Sequence, residues 1–217
     1  MQAPCKTPHL LLLLFLALIP TSFAFSKSIV LFSPDDKPTK HLIQNIAEAK
    51  TRIYAAIYML TDKKIALALI EAKKRGLDIQ LITDSASAES PYGKVLLLRA
   101  NGVETSVFWT LTDNQNKFNP LMHHKFAIID NNVWTGSFNW TISANTNNQE
   151  NVIYTDEKEV CDKYLAQFEK LKQRCIAMNE KKKHLQKQAE AQVKAPSRPL
   201  RGNRPKARRA KSWPRFC

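Results

Sequence analysis

Apolar positions in the first half of the chain alternate between two spacings. Ser28–Phe32 (SIVLF) is a short apolar run of strand length, closed by the turn-forming Ser33-Pro34-Asp35-Asp36. From about Thr39 to Lys50 the apolar residues Leu42, Ile43, Ile46 and Ala47 recur at helical spacing on one face. Ile53–Met59 reads as a second strand. Thr61 is placed to cap a helix through Lys74, with Ile65, Leu67, Leu69, Ile70 and Ala72 mostly buried and Gly76 just past its end. Leu77–Thr83 is the next strand, a helix near Lys94–Ala100 stops at Asn101-Gly102, and Val103–Phe108 returns as strand. This β-α-β-α-β-α-β rhythm predicts an α/β sandwich with a sheet between helical layers.

The last third changes character. Lys125–Asp130, Val133–Thr135 and Glu150–Tyr154 read as strands without intervening helices, and a closing helix runs from about Glu157 to Ile176. Its stripe is Val160, Tyr164, Phe168, Leu171 and Cys175, and nothing continues it after Met178, which places the domain boundary there. The chain therefore divides into a leader (1–24), a compact domain (25–178) and a tail (179–217).

The leader has Lys6 in a short n-region, an unbroken apolar run Leu10–Ile19, and Ser22-Phe23-Ala24 as a small-residue cleavage pattern. That run is half the length of a membrane span, so the expectation is export through a cleaved signal peptide, with an N-terminal membrane anchor as the alternative. Export permits disulfides, but Cys161 and Cys175 share one predicted helix at a separation of about 21 Å, beyond bridging distance. The histidines come with no companion ligand cluster at metal spacing, so no metal and no cofactor is expected.

Charge sharpens the division. The net charge of +14 arises from 33 Lys and Arg against 19 Asp and Glu, and residues 180–217 supply 13 of those bases and only two acids. The body is close to neutral. The tail has four prolines and no apolar period, a composition expected to be disordered alone and suited to gripping a polyanion, either nucleic acid or an anionic lipid surface. The overall 44% hydrophobic and 24% charged residues exclude fibrous and polytopic membrane classes.

Candidate chemistry lies in one short window: His123-His124-Lys125, Asp130, then Gly136-Ser137-Phe138-Asn139, then Glu150. On a strand His123 and Lys125 share a face while His124 points away. An imidazole beside an ammonium suits a phosphate: the first can attack phosphorus and the second can balance its charge. Gly136 permits close backbone approach, and Ser137 and Asn139 alternate to offer a hydroxyl and an amide to phosphoryl oxygens. Glu150 can accept a proton from a histidine and fix its tautomer.

These residues resemble the signature of the phospholipase D superfamily, H-x-K-x4-D followed by G-S-x-N, through His123, Lys125, Asp130, Gly136, Ser137 and Asn139. Ile29–Pro34, Glu71–Gly76, Thr135–Asn139 and Glu150–Val152 are similar to its small single-motif bacterial endonucleases. The mitochondrial cardiolipin hydrolase group has a comparable motif region. The resemblance implies an α-β-α sandwich with a mixed sheet and a metal-independent phosphodiesterase acting through a covalent phosphohistidine. One motif per chain implies a homodimer with a shared site, His123 of one copy attacking and that of the other protonating the leaving oxygen. Lys125, Ser137 and Asn139 would hold the phosphoryl oxygens, Glu150 would orient His123, and Asp130 would hold the local network through Lys125.

One departure stands out. Only five residues, 131–135, separate Asp130 from Gly136, one fewer than the family's usual spacing. A two-residue turn at Asn131-Asn132 would absorb the deletion, whereas a slipped register would aim Ser137 and Asn139 away from His123. The substrate stays open: nucleic acid cut with little sequence preference leads. A phospholipase D acting on phosphatidyl headgroups, with Phe108, Trp109, Leu111 and Phe118 as an apolar lip, is the alternative. A polyanion binder that has lost activity is the third reading.

Overall fold

The computed structural model of the chain describes residues 26–110 and 120–194. The expected leader, Leu111 and Phe118 of the expected lip, and the tail beyond 194 lie outside them. Seven strands, β1 (Ser28–Ser33), β2 (Arg52–Ile57), β3 (Asp78–Asp84), β4 (Glu104–Phe108), β5 (Lys125–Ile129), β6 (Asn132–Gly136) and β7 (Glu150–Thr155), form one sheet in the order β1-β7-β6-β5-β2-β3-β4. β2, β3 and β4 are parallel, as helical crossovers require, while the β5, β6, β7 and β1 pairings are antiparallel. The mixed α/β sandwich expected from the sequence is the fold observed.

Helices α1 (Pro38–Glu48), α2 (Lys63–Lys74) and α4 (Val95–Ala100) cover one face, where Leu42, Ile46, Ile65, Leu69 and Leu98 share a core with Ile53, Leu81 and Trp134. The other face lies under α6 (Lys158–Lys194), whose Cys161, Phe168, Leu171 and Cys175 pack with Ala56, Ile82, Phe126 and Ile128. Burial on both faces explains why β5 is apolar along its whole length and not alternating.

Several details differ from the expectation. Asp62, not Thr61, caps α2, because its carboxylate accepts the Lys64 N–H at 2.8 Å. Two short helices, α3 (Ser85–Glu89) and α5 (Ile142–Thr146), fill connections, capped by the side chains of Asp84 and Thr141. The β5–β6 hairpin turns at Asp130-Asn131, one residue before the expected pair, with Ile129 opposite Asn132 and Asp130 at φ 53°. The tight turn absorbs the missing residue and the strands keep their alternation.

The largest difference is α6, which continues through 37 residues to Lys194, so the boundary expected after 178 falls inside a continuous helix. Beyond Met178 the sequence is rich in Lys, Glu, Gln and Ala, which favour helix without needing an apolar stripe. Lys182 rests its ammonium over the Trp109 ring, 3.0 Å from its centroid, and Phe108 is buried in the α6 core. Neither residue forms an apolar lip. Cys161 and Cys175 are both buried and free.

The topology brings the C-terminal ends of β1, β2, β3 and β6 to the same edge as the N-terminal ends of β5 and β7.

Candidate active site

The chain enters β5 clamped on both sides of His123. The Met122 N–H donates to the fully buried carboxylate of Asp84 at the end of β3 (2.9 Å), and the Tyr58 N–H donates to the His124 carbonyl (2.8 Å). With the backbone held there, neighbouring side chains diverge as strand geometry dictates. The His123 imidazole lies against the Tyr58 ring, 4.6 Å between centroids, and the Lys125 ammonium sits 5.1 Å from the same ring centroid. His124 turns to the opposite face, edge-on to Phe126 and 3.3 Å from the Gln167 amide nitrogen on α6. Burial, with the Lys125 and His123 charges adding to it, pushes the His124 pKa down and favours a neutral ring.

Lys125 is buried and donates one hydrogen bond, to the His123 carbonyl at 2.9 Å. Burial pushes its ammonium pKa down, opposed by the nearby Glu150 carboxylate. A buried cation with donors to spare is suited to receive an anion.

The second half of the motif is set by Gly136. Its φ of 151° and its approach to Asn151, whose carbonyl oxygen would lie 2.1 Å from an added Cβ, exclude any side chain there. That approach lets the Ser137 N–H reach Asn151. The Ser137 hydroxyl donates to Glu150 Oε2 (2.5 Å) and accepts the Asn151 N–H (3.0 Å). The other Glu150 oxygen accepts from the Asn148 amide (2.9 Å), and buried Ser33 ties the Glu150 N–H to the Asn148 carbonyl. Buried Phe138 and Trp140 root the loop in the core. The Asn139 Oδ1 between them is buried without a hydrogen-bond partner among the described residues.

His123, Lys125, Ser137, Asn139 and Glu150 thus lie on loops and strand ends of one sheet edge. Glu150 does not hydrogen-bond His123 within the chain as expected; Ser137 and Asn148 occupy its two oxygens. The expected link from Asp130 to Lys125 is corrected more fundamentally. The two residues occupy opposite ends of β5, about 16 Å apart along a strand. Asp130 accepts the backbone N–H groups of Lys50, Thr51 and Arg52 and the Thr51 hydroxyl, at 2.7–3.2 Å. Burial alone would push its carboxyl pKa up; these donors outweigh it and hold the pKa below the ordinary value. Sequence reasoning missed Tyr58 and Asp84, which no spacing pattern marks.

The family described as "Cardiolipin synthase, PLD-like domain" matches residues 42–172. The chain belongs to this PLD-like domain family, within the phospholipase D superfamily. Among curated proteins it is similar to the phospholipase D of Rickettsia bellii, 33% identical over 141 residues, covering 64% of this chain and 66% of the relative. The chain spans just under two thirds of the length of the curated relatives it matches. Among solved structures it resembles NucT from Helicobacter pylori, with a TM-score of 0.65 at 25% identity over 69% of this chain and 98% of that one. It also resembles Nuc, a phospholipase D family member from Salmonella typhimurium, with a TM-score of 0.58 at 27% identity over 67% and 93%.

Proposed function

We propose that this protein is a metal-independent phosphodiesterase that cuts nucleic acid through a covalent intermediate on His123. The observation that carries the reading is that His123 and buried, under-bonded Lys125 both lie against Tyr58, at the edge where Ser137 and Asn139 emerge. A phosphodiester placed there meets a nucleophile, a cation and two neutral polar groups. The imidazole attacks phosphorus, the bond to the leaving oxygen breaks, and that oxygen takes a proton from a second acid. Water then attacks phosphorus, the same second group accepting its proton, and the phosphorus–nitrogen bond breaks, which regenerates the free imidazole. The chain has one such motif, so His123 of a second copy supplies the second acid in a homodimer with a shared site.

The resemblance to small single-motif bacterial endonucleases supports nucleic acid as the substrate, and the basic end of the chain supports polyanion binding. Export through the N-terminal leader, with anchoring as the alternative, belongs to the same proposal. One feature favours phospholipid as a second reading. On the face shared with α6, Val30, Phe32 and Ile153 of β1 and β7 are each about half exposed beside Asn151, and the Rickettsia relatives carry the name phospholipase D.

The test is nicking of supercoiled plasmid by the full chain in EDTA, beside His123→Ala. Cleavage by the wild type alone is the expected result. Intact plasmid with headgroup release from phosphatidylcholine vesicles would move the assignment to the phospholipid reading.

A further inference from the structure

Tyr58 is the first residue after β2, and no motif of the sequence includes it. Its backbone and its ring face the same short segment in different ways. The N–H holds the His124 carbonyl at 2.8 Å, which fixes the peptide between His123 and Lys125. The ring lies 4.6 Å from the His123 imidazole, tilted by 58°, and 5.1 Å from the Lys125 ammonium. The next residues are stitched to the other half of the site. The Trp140 N–H donates to the Met59 carbonyl, and the Thr61 and Asp62 N–H groups donate to the Trp140 carbonyl, all at 3.0 Å. Tyr58 is therefore the joint where the His-x-Lys strand and the Gly-Ser-x-Asn loop meet.

We propose that the Tyr58 ring is a positioning residue that holds His123 and Lys125 together in the orientation that phosphoryl transfer needs. This rests on the phosphodiesterase reading above. Two properties of the ring carry it. Its flat surface confines the imidazole to a narrow set of rotamers, which a flexible aliphatic side chain would not do. Its electron-rich face attracts the ammonium of a buried lysine that forms no ion pair among the described residues, so Lys125 stays near His123 before substrate arrives. The Tyr58 hydroxyl takes no hydrogen-bond partner among the described residues, so the ring and not the oxygen is the working part. A positioned pair reacts faster than a mobile one, and the gain appears in kcat because the ring itself need not touch substrate.

The experiment compares Tyr58→Phe and Tyr58→Leu in the full chain, with thermal unfolding to establish that both fold. The readouts are turnover of a phosphodiester substrate and the imidazole signals of His123 in NMR spectra without substrate. Tyr58→Leu is expected to lose roughly tenfold in kcat, with KM changed less than about threefold; tenfold corresponds to about 1.4 kcal/mol, within the range of a desolvated cation–ring contact. Tyr58→Phe should stay within about twofold of the wild type. The His123 ring-current shift should survive in Tyr58→Phe and vanish in Tyr58→Leu. Wild-type kcat in Tyr58→Leu, or a Phe variant as slow as the Leu variant, would overturn the proposal. If the wild type turned over no phosphodiester, the phosphodiesterase reading would fail, and with it the gain in rate assigned to the ring. The NMR comparison would still decide the contact, and unchanged His123 signals in Tyr58→Leu would refute it.

Discussion

The two ends of β5 carry the charged residues of one sequence motif and treat them in opposite ways. At the start of the strand, Lys125 is buried with a single hydrogen bond, and Asn139 nearby keeps a buried oxygen without a partner. At its end, Asp130 is saturated by three backbone N–H groups and a hydroxyl. A polar group left short of partners is costly to bury unless a ligand completes it, whereas a saturated one already spends its bonding capacity on the fold. On the proposed phosphodiesterase reading, recognition and chemistry belong to the first end. The second end staples the β5–β6 turn to the chain entering β2. The same motif thus joins an under-bonded edge to a structural anchor.

The first way to break this comparison is to remove the cation. Lys125→Met keeps the buried stem and deletes the charge, and should lower kcat by about 10²–10³-fold with little change in unfolding temperature, as for other groups that stabilise charge in a transition state. A variant that keeps its turnover would dissolve the distinction. Gly136→Ala comes next. A methyl group there would lie 2.1 Å from the Asn151 carbonyl at a φ of 151°, so the Ser137–Glu150–Asn151 cluster must move. The strain should cost about 1–3 kcal/mol in denaturant unfolding and reduce turnover beyond that loss.

Asp130→Asn sharpens the other side. It removes the charge and offers an amide to a nest of donors, so stability should fall by about 1–3 kcal/mol while kcat per folded molecule stays near wild type. The pH dependence has a definite sign. The folded carboxyl has its pKa below the ordinary value, so its stabilisation is present above the unfolded value of about 3.9 and is lost as pH falls through the folded one. Wild type and Asp130→Asn should therefore converge in stability at strongly acidic pH, a comparison that urea titrations across pH 2–7 would read. The smallest effect belongs to His124→Asn. That side chain contacts Phe126 and Gln167 away from the site, so turnover should change less than about threefold and stability by less than about 1 kcal/mol.

What the sequence revealed and what it concealed follow from the range of the interactions. The strands and amphipathic helices were legible because burial imposes a period, and the opposed directions of His123 and His124 follow from strand geometry alone. Asp130 was misread because adjacency in a motif suggests adjacency in space, while a five-residue strand separates its ends. Its partners at Lys50–Arg52 are backbone groups that leave no trace in residue type. Glu150 bonds Ser137 and Asn148 and not His123, because those contacts depend on how two loops fold. The continuation of α6 past Met178 was missed because apolar period was the criterion, and a Lys-, Glu- and Gln-rich helix needs none. Tyr58 looked like one more strand residue; only the pairing of β2 with β5 puts its ring against the motif.

The central claim is that the His123 end of β5 performs covalent chemistry. It is tested most directly by mixing the full chain with a short oligonucleotide in EDTA, denaturing at neutral pH within the first turnovers, and mapping peptides by mass spectrometry. The account predicts a nucleotide joined to the peptide at His123 through a phosphorus–nitrogen bond, absent from His123→Ala. Turnover in EDTA with no adduct, or with the adduct on His124, would contradict it.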